Sequence, residues 1–388
     1  MRTWIRGGVV LTPERELTHH AVVIEEGKIV AIEPEGVQPG PGDAVIDAHG
    51  LWVVPGMIDI HIHGIGGADT MDATGEALQK MAHFLVRHGV TAFLPTTVSA
   101  SRSSTWMAIR AVESYSSTAM GAQCLGIHLE GPYLNPNYSG AQPPEHLRSV
   151  DPQEYQEWLK SEVVRLVTLA PELEGAPEFI SAGRTRGVYF AAGHSGADYD
   201  RMMLAVSHGL SQATHLFNGM PSYHHRQPGI IGAVLDCEAI IPQLIVDGIH
   251  LHPATVRLVV KAKGPDRVIL ISDAMRATGL PDGQYSLGDQ LVEVKNGIAR
   301  TLKGGLAGST LTLDAALRNA LQFTGLSLRD VLPMVTSVPA KAIGLNHKGG
   351  IKPGADADIV LLDGNLEVSL TMVRGVVAYR RYSENSQP

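Results

Sequence analysis

The amino-acid sequence predicts an α/β protein built as a (β/α)8 TIM-like barrel, with a small β-sandwich domain formed by both termini. Through the middle of the chain, short apolar runs alternate with amphipathic stretches in units of about 25 to 40 residues, which is typical of βα units. The two ends consist instead of short β-type runs separated by turn residues. Eight βα units in one span favour the barrel, and an open doubly wound sheet is the structural alternative.

Residues 1–53 are predicted to form the first part of the small β domain. The segment AVVIEEGKIVAIE contains two β-type runs around Glu26 and Gly27, which is a hairpin signal. The stretch GADADIVLLDGNLEVSLTMVRGVVAYR has the same strand–turn–strand pattern, so residues 352–388 are assigned to the same domain. Residues 54–351 then form the barrel.

Eight apolar runs are predicted to be the barrel strands, and each is followed by a stretch with helical periodicity. They are residues 57–63, 90–96, 124–130, 164–170, 187–194, 212–217, 239–248 and 267–273. The first helical stretch covers residues 74–88 and ends at Gly89, a residue type that commonly terminates helices.

Composition and charge restrict the class of protein. The 388 residues carry a net charge of −8 without long charged runs, which argues against a nucleic-acid or anionic-membrane partner. The two cysteines, Cys124 and Cys237, show no CxxC spacing, so a reducing cytoplasm is expected. The segment MRTWIRGGVV has no signal-peptide core, and no apolar run is long enough to cross a bilayer.

The segment PGMIDIHIHG, residues 55–64, carries two histidines where a buried strand is predicted. Residues i and i+2 of a strand point to the same face, so His61 and His63 project together. They also lie at the C-terminal end of the first barrel strand, where barrel active sites are found. Taken alone, the pair fits either a metal site or two buried, hydrogen-bonded histidines.

Four other strand ends carry similar side chains. Glu130 ends the third strand, His194 the fifth and Asp273 the eighth, and His215 lies within the sixth. All of them are directed into one barrel mouth, and imidazole and carboxylate groups suit zinc and ferrous iron. The sequence therefore predicts a metal site.

The local motifs narrow this interpretation. The segments PGMIDIHIHG, GIHLEGPYLNP, AAGHSGA, ATHLFNGM, HHRQPG, IVDGIHLHP, LISDAM and LAGSTLTLDAAL occur in order between about residues 50 and 365. In this order they resemble the N-acetylglucosamine-6-phosphate deacetylases of the amidohydrolase superfamily. The resemblance implies hydrolysis of N-acetyl-D-glucosamine 6-phosphate to D-glucosamine 6-phosphate and acetate, in amino-sugar catabolism and recycling.

The resemblance also implies a set of metal ligands. Glu130, His194 and His215 would hold the main ion, and His61 and His63 would hold a second ion with Glu130 bridging the two. Some members lack the His-x-His pair and use one metal. Because this chain keeps both histidines, a binuclear site is expected, with one or two divalent transition-metal ions per chain, Zn²⁺ or Fe²⁺ in the first instance.

Two residues are implied as catalytic. Asp273 would take a proton from the attacking water and pass it to the departing amine. Its alternatives are a metal ligand with no proton role, or a helix cap before AMRATG. His250 would polarise the carbonyl or contact the sugar phosphate, whereas a histidine in a loop is more often a surface residue.

The remaining implied residues bind substrate. They are Ala141, Gln142, Asn218, Gly219, Arg226, Asp247, His250, Leu306, Ala307 and Gly308. Asn218 and Gly219 would offer their backbone to the phosphate, and Arg226 offers a planar two-pronged donor. The resemblance places Arg226 in the neighbouring subunit's site across a two-fold homodimer. Residues 306–308 lie where the family's substrate-covering loop is found.

One residue departs from the family pattern. Gln142 stands where many members have histidine, and glutamine cannot become cationic. The preferred epimer is therefore open, and N-acetylgalactosamine 6-phosphate is an alternative substrate. More distant alternatives are another amide hydrolase, such as an aminoacylase or dihydroorotase, and a non-catalytic protein that binds metal and sugar phosphate. The HHRQPG element favours a phosphorylated sugar, and Asp273 favours an enzyme.

Overall fold

The computed structural model describes residues 1–118 and 120–381. The strands in the N-terminal part of the chain are short. They are β1 (Thr3–Arg6), β2 (Val9–Leu11), β3 (Glu16–Leu17), β4 (His20–Glu25), β5 (Lys28–Pro34), β6 (Ala44–Asp47) and β7 (Trp52–Pro55). The predicted hairpin is confirmed, since β4 pairs antiparallel with β5 around Glu26 and Gly27, which have φ values of 49° and 75°.

The central part alternates strands and helices. Its first half contains β8 (Met57–Ile62), β9 (Gly64–Ile65), β10 (Ala68–Asp69), α1 (Gly75–Leu85), β11 (Val90–Pro95), α2 (Arg102–Ser114), β12 (Gln123–Cys124), β13 (Ile127–Glu130), α3 (Pro152–Trp158), β14 (Val164–Leu169) and α4 (Ala176–Arg184). Its second half contains β15 (Tyr189–Ala192), α5 (Tyr199–His208), β16 (Gln212–Ala213), α6 (Gly229–Asp236), β17 (Ile241–Leu244), α7 (Pro253–Lys263) and β18 (Ile269–Leu270).

The last part begins with strands that the sequence analysis did not predict. It contains β19 (Gly283–Leu287), β20 (Gln290–Lys295), β21 (Ile298–Thr301), α8 (Leu313–Thr324), α9 (Leu328–Val331), α10 (Ser337–Ala342), β22 (Ile359–Leu362), β23 (Val368–Val373) and β24 (Val376–Arg380). Strands β19 to β21 form an antiparallel meander with its own small core of Leu287, Val292 and Val294 packed on Met275.

The parallel strands follow chain order. One sheet has the order β12-β11-β8, and a six-stranded sheet has the order β13-β14-β15-β16-β17-β18. An isolated parallel bridge between Thr96 and His128 connects the two sheets. The arrangement is a mixed α/β fold whose parallel strands are consistent with a TIM-like domain, and it differs from the reordered strands of a doubly wound sheet.

The third predicted strand, residues 124–130, was wrong as a single element. The structure breaks it into β12, which pairs with β11, and β13, which pairs with β14. Gly126 lies between them with φ of 125°, a conformation that only glycine adopts readily. A side chain there would also meet the carbonyl oxygen of Val163 at 2.3 Å, so the break brings two backbones close together.

The predicted first helix is confirmed as α1 followed by a turn of 3₁₀ helix. Thr74 caps its first turn by accepting a hydrogen bond from the Ala77 amide, and Gly89 ends the segment in the left-handed region with φ of 73°. The buried face of α1 presents Leu78, Met81 and Leu85 to the main core. Burial of this apolar stripe stabilises the helix more than its intrinsic propensity does.

The terminal segments form two further sheets. One has the order β5-β4-β1-β6, and the other has the order β24-β23-β22-β7-β2-β3. The second sheet joins the termini directly, because β7 pairs with β22. A shared hydrophobic cluster includes Ile5 and Val22 from the first sheet and Val53 and Leu361 from the second. None of the helices in residues 1–118 and 120–381 is both long enough and apolar enough to span a membrane.

Candidate metal centre

The predicted ligand residues meet at the C-terminal ends of the parallel strands. His61 lies in β8 and Glu130 ends β13, while His194, His215 and Asp273 follow β15, β16 and β18 by two or three residues. All of these side chains, and that of His63, are at least nine-tenths buried. The cluster forms because the parallel strands that carry these residues all end on the same side of the sheet.

Three of these residues have left-handed backbones, although the sequence suggested ordinary strand ends. The φ values are 48° at His194, 29° at His215 and 47° at Asp273. Such conformations cost about 1–3 kcal/mol each for a non-glycine residue and concentrate at functional sites. The Asp273 amide donates to the His61 carbonyl at 3.0 Å, which fixes one of these turns against the first strand.

The first group of ligand atoms surrounds one oxygen of Glu130. Glu130 Oε1 lies 3.2 Å from His194 Nε2 and 3.0 Å from His215 Nε2. The two Nε2 atoms are 3.1 Å apart. Glu130, His194 and His215 thus form a compact set of one carboxylate and two imidazoles, which is a donor set that suits zinc or iron.

The second group consists of His61, His63 and Asp273. Asp273 Oδ1 lies 3.3 Å from His61 Nε2 and 3.1 Å from His63 Nε2. Glu130 connects the two groups, because its Oε2 atom lies 3.3 Å from His63 Nε2 and its Oε1 atom lies 3.7 Å from His61 Nε2. Glu130 thus lies beside both groups, and Asp273 belongs to the second group.

Backbone carbonyls hold three of the four histidines in one tautomer. Nδ1 of His63 lies 3.2 Å from the Thr96 oxygen, Nδ1 of His194 lies 2.9 Å from the Tyr138 oxygen, and Nδ1 of His215 lies 3.2 Å from the Asn218 oxygen. A carbonyl can only accept, so each Nδ1 carries the proton. Each Nε2 then directs a lone pair into the cluster, as metal-ligating histidines do.

The cluster fits a cation for a second reason. Asp273 Oδ1 is buried and has no hydrogen-bond partner of good geometry in the described part of the chain, although two Nε2 atoms face it. Imidazole lone pairs and carboxylate oxygens within about 3 Å repel one another unless a proton or a metal ion lies between them. The residues present therefore fit one ion in each group.

The imidazoles around the two acids of the cluster also bear on the ionisation of those acids. Burial opposes the charged form of Glu130, but His61, His194 and His215 outweigh it and hold the pKa of that carboxyl well below its usual range. Burial likewise opposes the charge on Asp273, and His61 and His63 more than offset it, so the pKa of Asp273 is also lowered. Both groups are therefore anionic at neutral pH and available to a cation.

A cavity of about 250 Å³ opens beside the cluster. It is lined by His63, Glu130, Gly140, Ala141, Gln142, His194, His215, Asn218, Gly219, Ile245, His250, Asp273, Leu287, Gly305, Leu306 and Gly308. Eight predicted substrate or catalytic residues thus reach the cavity. The unpredicted meander contributes Leu287 to its wall.

Three predicted substrate residues do not line the cavity. Asp247 lies behind His250 and accepts from it, with 2.7 Å between Asp247 Oδ2 and His250 Nδ1. Ala307 is fully buried in the core of the meander. Arg226 is exposed, and its guanidinium contacts Nε2 of His225 at 2.8 Å.

Sequence reasoning missed His128, which lies two residues before Glu130 on the same strand face. Its Nε2 atom contacts Thr168 Oγ1 at 2.7 Å, and its ring lies 4.7 Å from that of His61. Burial, the largest effect, and the nearby His61 lower the pKa of His128 well below its usual range, so it is neutral. The sequence IHLE could have revealed it, because His128 and Glu130 are two residues apart in a strand and therefore point to the same face.

Comparison with known proteins gives a consistent result. The amidohydrolase family matches residues 52–378. The N-acetylglucosamine-6-phosphate deacetylase of Bacillus subtilis (strain 168) is 37% identical over 391 residues, which cover 97% of this chain and 96% of that protein. The N-acetylgalactosamine-6-phosphate deacetylase of Escherichia coli O157:H7 is 38% identical over 378 residues, which cover 96% of this chain and 98% of that protein.

A solved structure extends the similarity to three dimensions. A mutant N-acetyl-D-glucosamine-6-phosphate deacetylase from Mycobacterium smegmatis, in complex with N-acetyl-D-glucosamine-6-phosphate, superposes with a TM-score of 0.89. The sequences are 34% identical, and the match covers 97% of this chain and 99% of that one.

Proposed function

The chain belongs to the amidohydrolase family, and we propose that it catalyses the metal-dependent hydrolysis of N-acetyl-D-glucosamine 6-phosphate to D-glucosamine 6-phosphate and acetate. The observation that carries this proposal is the pair of buried ligand groups at the wall of one cavity, with Glu130 of the first group 3.3 Å from His63 of the second. Relatives that match nearly the whole chain bear the same activity in their names. Amino-sugar catabolism and recycling in the cytoplasm is the proposed setting.

We propose one or two divalent ions per chain, with Zn²⁺ or Fe²⁺ as the candidates. Glu130, His194 and His215 would hold the first ion, and His61, His63 and Asp273 would hold the second with Glu130 shared. A bound divalent ion polarises a carbonyl oxygen as a Lewis acid and lowers the pKa of water to about 7.

Asp273 is the proposed proton carrier. Asp273 lines the cavity, and its carboxyl is ionised at the start of the reaction because its pKa is lowered by His61 and His63, so it has a free site for a proton. It removes a proton from the water that attacks the acetamide carbonyl carbon. It then delivers that proton to the amide nitrogen, so that the C–N bond breaks to give a neutral amine and acetic acid, and the acid loses its proton to become acetate.

His250 is proposed to bind the carbonyl or the phosphate. Nδ1–H of His250 donates to Asp247 Oδ2 at 2.7 Å, so Nε2 can donate to a carbonyl or phosphate oxygen of the substrate when it also carries a proton. Asp247 also accepts from the amides of Ile249 and His250, both at 2.8 Å, and so fixes the loop that carries the imidazole. Asp247 therefore acts through His250 as a positioning residue.

We propose that the parallel strands close into a (β/α)8 barrel of residues 54–351, with residues 1–53 and 352–381 forming a β-sandwich domain. Residues 382–388, which the sequence analysis assigned to the same domain, lie outside the described residues. Two hydrogen bonds support closure between the last and first strands, from the Asp273 amide to the His61 carbonyl and from the His63 amide to the Ala274 carbonyl. The hydrophobic cluster shared by the two terminal sheets supports the sandwich.

The epimer at C4 defines a second candidate substrate. A relative of nearly equal identity is named as an N-acetylgalactosamine-6-phosphate deacetylase, so N-acetylgalactosamine 6-phosphate is the alternative. The test measures acetate release from both epimeric N-acetylhexosamine 6-phosphates and from their unphosphorylated forms. We expect the highest kcat/KM with the phosphorylated glucosamine derivative. No release from any of the four compounds by ion-loaded protein would remove the deacetylase proposal.

Phosphate recognition motivates a proposal about the oligomer. No lysine or arginine of the described residues lines the cavity, so a phosphate in it lacks a full positive charge from its own chain. Arg226 is exposed on the excursion between β16 and α6, which is rich in Pro, Gly and His. We propose a two-fold homodimer in which this arginine reaches the partner's substrate.

The Arg226→Ala variant tests this assignment. We expect a higher KM for the phosphorylated substrate and a nearly unchanged kcat for an unphosphorylated one, because only binding is lost. Refolding it together with Asp273→Asn decides whether the arginine acts in trans. At low substrate each variant alone is nearly inactive. About half of the refolded dimers are mixed, each mixed dimer has one complete site, and activity should recover to about a quarter of the parent level. Components that exchange subunits and stay inactive would place Arg226 within its own site.

A further inference from the structure

Gln142 has both ends of its side-chain amide occupied by protein. Its Oε1 atom accepts from the Ser99 amide at 2.7 Å, and its Nε2 atom donates to Glu130 Oε2 at 2.6 Å. The residue is 5% exposed. The Ser99 amide can only donate, so the oxygen must face it and the –NH₂ group must face Glu130. The donor at Ser99 therefore determines which way the side-chain amide of Gln142 faces.

The oxygen that Gln142 contacts is the one directed at the second ligand group. Glu130 Oε1 lies between His194 and His215, whereas Oε2 lies 3.3 Å from His63 Nε2. A carboxylate oxygen has two lone pairs, so Oε2 can accept from Gln142 with one and bind a cation with the other. The glutamine thereby directs the remaining lone pair towards His63.

The loop that carries Gln142 is itself held on two sides. The Tyr138 carbonyl accepts a hydrogen bond from His194 Nδ1 at 2.9 Å. The backbone N–H of Gln142 donates to the Ser139 carbonyl, also at 2.9 Å. From the meander, Gln290 Nε2 donates to the Ala141 carbonyl at 2.7 Å. The segment 138–142 thus touches a ligand of the first group and the shared carboxylate within five residues.

We infer that Gln142 is a positioning residue that orients Glu130 Oε2 and so sets the affinity of the second ion, at His61, His63 and Asp273. The inference rests on the metal centre of the proposed function. It also limits the part that Gln142 plays in choosing between sugar epimers. With Oε1 and one N–H already used, a single N–H remains to face the cavity.

The test titrates metal-free protein with Zn²⁺ or Co²⁺ by calorimetry and measures the number of ions and the affinity of each. The parent should bind two ions, and His61→Ala identifies the step that belongs to the second ion. Gln142→Met has similar length and no donor, and it should lower the affinity for the second ion by about 10–100-fold, as the loss of such outer contacts does. The affinity for the first ion should fall by less.

Two further variants separate orientation of Glu130 from general damage. Gln142→Asn keeps the amide but is one methylene shorter, so it should also lose second-ion affinity. Gln290→Met removes the contact to Ala141 from the same loop without touching a ligand, and it should keep both affinities. Thermal unfolding of each variant reports whether the fold is retained.

Three results would overturn the inference. The affinity for the second ion could be unchanged in both folded Gln142 variants, or the affinities for the two ions could fall equally. The parent protein could also bind only one ion. None of these measurements uses acetate release. A protein that hydrolyses no acetylated sugar phosphate but loses its second ion in Gln142→Met would refute the proposed reaction and leave this inference standing.

Discussion

Asp273→Asn is expected to lower kcat for N-acetylglucosamine 6-phosphate by about 10²–10⁴-fold, the usual contribution of a positioned proton carrier. Asparagine keeps the shape of the side chain but cannot take a proton from water or return one to the amine. The residue lines the cavity, and its lowered pKa keeps it ionised at neutral pH, as a base requires. Substrate should still bind, so KM should change far less than kcat.

The structure adds a condition to this experiment, because Asp273 Oδ1 also faces His61 and His63. Ion content must therefore be measured in the variant, and kcat compared at full occupancy of the first group. Asp314→Asn is a matched control, since Asp314 is a buried carboxylate paired with His88 at 3.1 Å and does not line the cavity. Near-parent kcat in ion-loaded Asp273→Asn would show that another group carries the proton.

His194→Ala should abolish activity by removing a ligand of the first ion. The site then keeps Glu130 and His215 as an incomplete set of donors. His61→Ala removes a ligand of the second group only, so it should lose one ion and retain partial activity. Elemental analysis of both variants beside the parent gives the ion content. Equal ion content in His61→Ala and the parent would refute the binuclear arrangement.

The sequence analysis predicted the ligand cluster because strand periodicity is strict. His61 and His63 share a face, and the strands that carry Glu130, His194, His215 and Asp273 end at the same side of a parallel sheet. No long-range information was needed to place these residues together. Matching strand–turn patterns assigned both ends of the chain to one domain, but they did not predict which strands join, and the structure supplies that in the pairing of β7 with β22.

Other features depend on contacts that periodicity does not encode. At the break, Gly126 leaves room for the Val163 carbonyl, which comes from a segment distant in sequence. The meander of residues 283–301 has the alternation of an ordinary hairpin pair, and nothing local shows that it covers the site. The contact between Gln142 and Glu130 depends on a loop conformation fixed by Ser99, Ser139 and Gln290.

Acetate release from N-acetylglucosamine 6-phosphate, measured on one preparation before chelation, after chelation and after re-addition of ions, tests the central claim most directly. We expect equimolar acetate and glucosamine 6-phosphate from the loaded protein, because hydrolysis of one amide yields one of each. Activity should disappear when the ions are removed and return with Zn²⁺, Fe²⁺ or Co²⁺. Full activity in rigorously metal-free protein would contradict the account, as would the absence of acetate from protein shown to hold its ions.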